Sequence, residues 1–342
     1  MKKRGFASDN NAGVHPEILK ALEKVNEGHT IAYGDDPYTA SADKKIRQLF
    51  GDEVMPFFVF IGTAANVLGL DSLTKPYHSV ISAETSHMHQ HECGAPERIT
   101  GCKLLSVETP DGKLTTEGIA KHLYGIGDEH HSQPRVISIT QATEMGTVYT
   151  AGEIREIADY AHNHNMYLHM DGARLSNAAA FLNMGFREFT RDAGVDVLSF
   201  GGTKNGLMYG EVVIFFNTEF AGDFKFLRKQ GMQLASKMRY IAAQFERFLE
   251  DDFWLTNAAH ANRMAELLAD ELKDIKQITI TQSVQSNAVF ARVPKELIPD
   301  LQKEYFFYVW DEDTGEVRWM CSFDTTEEDV KDFASIIRKK LA

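Results

Sequence analysis

Short apolar segments alternate with amphipathic helical ones from residue 54 to residue 216, and that alternation narrows the chain to a mostly parallel sheet covered by helices. The segments that read as strands are 54–60, 78–83, 103–108, 135–140, 166–170, 195–200 and 212–216, a seven-stranded type of sheet. Helical spacing between them is clearest at Ile154, Ile157, Ala158 and Ala161, which fall on one face. No internal repeat or long linker interrupts the series. From Glu219 the pattern changes to long helical stretches, roughly 223–250 and 257–274. Short strands near 278–280, 287–293, 306–310 and 317–323 follow, and a helix from Thr326 closes the chain. The expected organisation is an N-terminal segment (1–30) with a helix starting near Pro16, a large α/β domain (31–236) and a smaller C-terminal α+β domain (237–342).

In such a sheet, ligands bind beyond the carboxyl ends of the strands, so the residues there carry the functional argument. Segment 195–200 breaks into Gly201-Gly202-Thr203-Lys204-Asn205-Gly206 before the next apolar run begins at Val212. A lysine held on a tight turn between two core strands has apolar walls that disfavour its charged form, which is what a Schiff-base lysine needs. Taken alone, Lys204 would read as a solvated turn residue. Upstream, segment 166–170 ends in Asp171-Gly172-Ala173-Arg174, placing an aspartate at the carboxyl end of a buried strand. Pyridoxal phosphate requires this pair: an amine to hold its aldehyde and a carboxylate to keep its pyridine nitrogen protonated.

Other positions admit two readings each. Gly62-Thr63 opens an alanine-rich helix directly after a strand, either as a phosphate site at a helix N-terminus or as an ordinary helix capped by Thr63. His87, His89, His91 and Cys93 alternate and would line one face of a strand as zinc ligands, but Glu92 and the Gly94-Ala95 exit break a strand pattern. An imidazole stacked on a cofactor ring is the sharper reading of His87. His130 and His131 lie in a polar loop and are either solvated or lead into the cleft; Arg318 sits within a strand of the small domain.

The formal net charge of −13, with no basic run to offset it, argues against a nucleic-acid partner. Cys93, Cys102 and Cys321 are few and odd in number, which fits a reducing compartment. The start Met1-Lys2-Lys3-Arg4 is followed by no apolar stretch, and no run approaches membrane-spanning length, so the expected location is the cytoplasm with no membrane association.

Taken together, Ser8-Asp9-Asn10, Tyr33-Gly34-Asp35-Asp36-Pro37, Gly62-Thr63-Ala64-Ala65-Asn66, Thr85-Ser86-His87, Glu92-Cys93-Gly94-Ala95, His169-Met170-Asp171-Gly172-Ala173-Arg174 and Phe200-Gly201-Gly202-Thr203-Lys204-Asn205-Gly206 resemble the low-specificity L-threonine aldolases. These are aspartate-aminotransferase-like pyridoxal-phosphate enzymes of the β-eliminating lyase group. The resemblance runs from residue 6 to near the C-terminus. It implies retro-aldol cleavage of β-hydroxy amino acids to glycine and an aldehyde, with Lys204 as Schiff-base lysine, Asp171 as pyridinium partner, His87 as stacking imidazole and Gly62 with Thr63 as phosphate cup. Arg174 would serve the cofactor and, with Ser8 and Arg318, the substrate carboxylate. It implies a homotetramer, a dimer of dimers, in which Tyr33 and Arg239 serve a neighbour's site, and it implies no metal in catalysis. Family members often carry an acid where this sequence has His91. The expected β-hydroxyl base is His130, with His91 or Glu92 as alternatives. A β-eliminating lyase or aminotransferase on the same scaffold, or a cofactor-binding protein without turnover, are the competing readings.

Overall fold

The computed structural model describes residues 4–341. Seven strands form the main sheet: β1 (Met55–Val59), β2 (His78–Ala83), β3 (Lys103–Val107), β4 (Gln133–Thr140), β5 (Tyr167–Gly172), β6 (Val197–Gly201) and β7 (Glu211–Phe215), in the spatial order β1-β7-β6-β5-β4-β2-β3. Strands β6, β5, β4, β2 and β3 pair in parallel, while β7 runs antiparallel to both its neighbours β1 and β6. Sequence neighbours on one strand enter opposite cores: Ile81, Ile137, Leu198 and Ile214 join one apolar layer, and Val80, Val136, Val197 and Val213 join the other. Both faces are therefore covered, which is why these strands read as continuous apolar runs.

The small sheet is antiparallel, built from β8 (Thr279–Ile280), β9 (Ala288–Arg292), β10 (Tyr308–Asp311) and β11 (Glu316–Met320) in the order β10-β11-β9-β8. Three expectations change here. The apolar core of the large sheet takes in Ile241, Phe245, Phe248, Phe253 and Trp254, and the small-domain core begins at Met264, so packing moves the boundary from 237 into the helix Phe253–Leu272. Residues 1–30 are not one unit either. The Phe6 amide donates to the Phe306 carbonyl at 2.8 Å and the Phe6 carbonyl accepts from the Met320 amide at 2.8 Å, tying this stretch to the small domain, whereas Ile18 belongs to the large core. The helix expected over 223–250 is two helices, Phe224–Gln230 and Arg239–Phe248, separated by a stretch in which Met232 adopts φ 62, which no α-helix accommodates.

The sheet brings one edge of loops together. The parallel strands β2, β4, β5 and β6 end there, β1 runs in the same sense as β6, and β7 starts there because it runs the other way. Gly201 sits at that edge against Ala173, where a Cβ would come within 2.7 Å of the Ala173 Cα. Gly206 adopts φ 106 and closes the turn that carries Lys204, a conformation that favours glycine.

Candidate active site

Asp171 lies at the end of β5 and is 5% exposed. Its Oδ2 accepts from Asn66 Nδ2 at 2.9 Å and its Oδ1 from the Ala173 amide at 3.0 Å. Asn66 Nδ2 also donates to Glu92 Oε1 at 3.0 Å, and that oxygen lies 3.0 Å from His87 Nδ1. One hydrogen-bonded chain thus fixes Asp171 and the His87 ring relative to each other. The Glu92 side chain is buried beneath His87, so its carboxylate orients the imidazole; it lines the deeper hollow and not the outer one.

Lys204 follows β6 on a single 3-10 turn, Thr203–Asn205. Burial, helped by Arg174, holds its ammonium below the usual lysine range, against the carboxylates of Asp9, Asp171 and Glu211. Glu211, at the start of β7, accepts from Thr203 Oγ1 at 2.8 Å, and burial pushes its carboxyl up to about 7. Lys204, Asp171 and His87 line two connected hollows. The deeper, of about 240 Å³, is also lined by Gly62, Thr63, Asn66 and Tyr209; the outer, of about 700 Å³, by Ser8, His91, Glu144, Arg174 and Arg318. Another hollow of about 470 Å³, lined by Glu17, Lys20, Tyr38 and Arg247, contains none of the residues given a role in cofactor or substrate binding.

The two arginines differ in what they have left to offer. Arg174 Nε and Nη2 donate to Asp9 at 2.7 and 3.0 Å, and Asp9 Oδ2 also accepts from Asn287 Nδ2 at 3.0 Å. Burial alone would raise the Asp9 carboxyl, but Arg174 and Lys204 outweigh it and hold it below the usual carboxylate range. Arg174 is therefore already neutralised. Arg318 makes no ion pair among the described residues; its guanidinium lies 5.1 Å from the Trp310 ring and its Nε is buried without a partner. Burial, then Arg174, pulls it down to about 10, so it stays cationic at neutral pH. Ser8, whose Oγ accepts from the Asn10 amide at 3.2 Å, lines the same hollow.

At the helix Gly62–Leu73 the capping alternative fails. The cap position is Ile61, which has no side-chain acceptor, and Thr63 lies one residue inside the helix. Its first amides point out of the helix end beside Gly62, where a Cβ would meet nothing within 4 Å, and an uncapped N-terminus of this kind favours an anion. Residues 87–90 form a helical turn, which removes the alternating face on which the zinc reading depended.

His130 corrects the sequence expectation. It is exposed and precedes β4, whereas the cleft lies beyond the other end of that strand, roughly 23 Å away at the usual rise per residue. Within one protomer it cannot reach Lys204: chain order puts a residue that precedes a strand at that strand's amino end. Tyr33 and Arg239 also lie outside both hollows: Tyr33 is exposed, and Arg239 donates to the Glu27 carbonyl at 3.2 Å. Asp9, Asn66, Glu144 and Glu211 are the site residues that sequence reasoning did not single out. The first two sat inside motifs quoted for neighbouring residues; the last two had no local signal.

These side chains fit pyridoxal phosphate. An amine held toward its neutral form, a buried carboxylate, an imidazole fixed beside it and an uncapped helix end face one space, and Asn66 Oδ1 and Glu92 Oε2 are buried there without partners.

A profile of the family described as beta-eliminating lyase matches residues 5–295. The chain is 47% identical over 335 residues to a low specificity L-threonine aldolase of Pseudomonas sp. (strain NCIMB 10558), covering 97% of this chain and 96% of that one. It superposes on the threonine aldolase of Leishmania major with a TM-score of 0.94 at 29% identity, over 99% of this chain and 100% of that one. The alanine–glyoxylate aminotransferase of Nostoc sp. shares the fold, with a TM-score of 0.72 at 14% identity over 100% and 96% of the two chains. Among the described residues, no helix is long and apolar enough to cross a membrane.

Proposed function

The chain belongs to the β-eliminating lyase family and, within it, to the low-specificity L-threonine aldolases, and from that premise we propose how its cleft divides the work of cleaving L-threonine, L-allo-threonine and related β-hydroxy amino acids into glycine and an aldehyde. When bound, pyridoxal phosphate supplies an electron sink conjugated to the substrate's Cα. Lys204 would hold its aldehyde, the helix end at Gly62 and Thr63 its phosphate, and Asp171 a proton on its ring nitrogen, with His87 against the ring face. The observation that carries the reading is the meeting of Lys204, Asp171 and the unpaired cation of Arg318 in one cleft. Arg318 takes the substrate carboxylate through its planar fork, with Ser8 beside it, while Arg174, tied to Asp9, supplies its remaining donors.

Arg318→Gln tests this division. A charge-assisted hydrogen bond contributes about 1.5–3 kcal/mol, so KM for threonine should rise about 10- to 100-fold with a smaller change in kcat. An unchanged KM would mean the carboxylate is bound elsewhere. His130→Asn should keep threonine turnover within about threefold of wild type, less than ~1 kcal/mol in the barrier; a larger loss would return His130 to the site. The products expected are glycine and aldehyde, rather than the pyruvate and ammonia of an elimination or the keto acid of a transamination.

The assembly is read as a homotetramer, a dimer of dimers. Exposed Ile31, Tyr33, Ile61 and Met232 support a covered surface near the cleft, on which Tyr33 and Arg239 would face a second copy. The cytoplasm is the proposed location, supported by three unpaired cysteines, Cys93, Cys102 and Cys321.

A further inference from the structure

Cleavage of the Cα–Cβ bond requires a base for the β-hydroxyl proton; within one protomer His130 lies outside the cleft, and Glu92 faces the deeper hollow, not the outer one, with Oε1 held by Asn66 and His87. Glu144 stands in the loop that follows β4, at the carboxyl edge of the sheet. Its Oε1 accepts from the His87 amide at 2.7 Å and from Thr140 Oγ1 at 3.0 Å, which fixes the carboxyl group. Its Oε2 is buried and has no partner, and the residue, 7% exposed, lines the outer hollow together with Lys204, Arg318 and His91. An oriented carboxylate with one unused oxygen, beside the cation that takes the substrate carboxylate, is arranged to accept a proton.

Resting on the aldolase reading above, we propose that Glu144 is the catalytic base for the β-hydroxyl group. Glu144 Oε2 takes the hydroxyl proton, and the oxygen's freed pair forms the aldehyde C=O as the Cα–Cβ bond breaks. The electrons of that bond stay with Cα, which takes a proton to complete glycine, and Glu144 returns its proton to solvent, so the overall reaction gains and loses none. The surroundings suit the task. Burial, reinforced by the charge of Asp171, raises the Glu144 carboxyl above its ordinary range, toward the pH at which a general base works best. The other charged or titratable groups acting at this position are Arg174, Arg318 and Tyr149, with the amide of His87 donating to the carboxylate. His91 is the competitor in the same hollow, but burial, with His87 and Arg318, lowers its imidazole and weakens it as a base.

Glu144→Gln keeps an acceptor for the His87 amide and the Thr140 hydroxyl, so the test separates proton transfer from positioning. Three readouts are made on the cofactor-loaded protein: threonine cleavage against pH, exchange of the glycine α-hydrogen in deuterated water by NMR, and the mass of the borohydride-fixed cofactor on Lys204. Loss of a general base lowers kcat about 10²- to 10⁴-fold. A fall in threonine cleavage of that size is expected, with loss of the acidic limb of the pH profile, a far smaller fall in glycine exchange, which needs no β-hydroxyl base, and an intact Lys204 adduct. Cleavage within about threefold of wild type would overturn the proposal. So would an equal loss of glycine exchange, or a missing adduct, since either makes Glu144 a support for His87 and the site. If His91→Asn rather than Glu144→Gln removes the acidic limb, His91 is the base and the proposal fails. A wild type that exchanges glycine but releases no aldehyde would instead overturn the aldolase reading, and the base role with it.

Discussion

Replacing Lys204 by alanine should lower threonine turnover by at least about 10³-fold, the scale on which enzymes lose activity when the nucleophile is removed and only binding contacts remain. A lysine amine is a nucleophile only when neutral, and here burial and Arg174 disfavour the ammonium while Asp9, Asp171 and Glu211 oppose that shift. The turn itself does not depend on the side chain. Asn205 donates from Nδ2 to the Trp254 carbonyl at 2.9 Å, and its own carbonyl accepts from Asn257 Nδ2 at 3.1 Å, so the backbone stays anchored in the variant. Lost turnover would therefore report chemistry rather than unfolding. After borohydride reduction, peptide mass mapping should find the cofactor on Lys204 in the wild type and nowhere in the variant. An adduct on another lysine, or turnover above about a tenth of wild type, a loss of only ~1.4 kcal/mol, would contradict the assignment.

Asp171→Asn should have the second largest effect, and on kcat far more than on cofactor affinity. The carboxylate is buried and fixed by Asn66 and the Ala173 amide, and its charge is what holds a proton on the cofactor's ring nitrogen. Removing one member of a buried charge pair costs about 3–5 kcal/mol. At about 1.4 kcal/mol per tenfold, that corresponds to a fall of roughly 10²- to 4 × 10³-fold in kcat if the loss falls on the chemical step. The amide that replaces it is nearly the same size, so pyridoxal phosphate should still bind, which fluorescence titration of the two proteins would check. A kcat unchanged by the substitution would mean that Asp171 does not set the protonation of the ring.

The features legible in the sequence are those that short stretches specify. Strand, turn and helix at Asp171, Lys204 and Gly62 follow from apolar runs that end in glycine-rich breaks, and the carboxyl-edge rule then places all three on one side of the sheet. What escaped notice depends on contacts between distant segments. Asp9 meets Arg174 across 165 residues and Asn287 across 278, and no periodicity encodes either pairing. Glu144 follows the strand 133–140 among threonines and small residues and reads locally as an ordinary loop acid; only folding against His87 isolates one of its oxygens. His130 is a different case. It precedes β4, and in a parallel sheet chain order already puts that loop at the amino edge, away from the cleft of its own protomer. At residues 223–250 the helical pattern continued across a break that Met232 makes in a left-handed conformation, one that its side chain does not favour and that the sequence therefore did not announce.

The account stands or falls on what leaves the cleft. The decisive measurement is the release of glycine and acetaldehyde from L-threonine and from L-allo-threonine by the purified protein loaded with pyridoxal phosphate, with Lys204→Ala alongside. Equal amounts of glycine and acetaldehyde from the wild type, and neither from the variant, is the predicted result, and the ratio between the two substrates would give the preference at the β-carbon. Pyruvate and ammonia, a keto acid, or no product despite a cofactor adduct on Lys204 would contradict it.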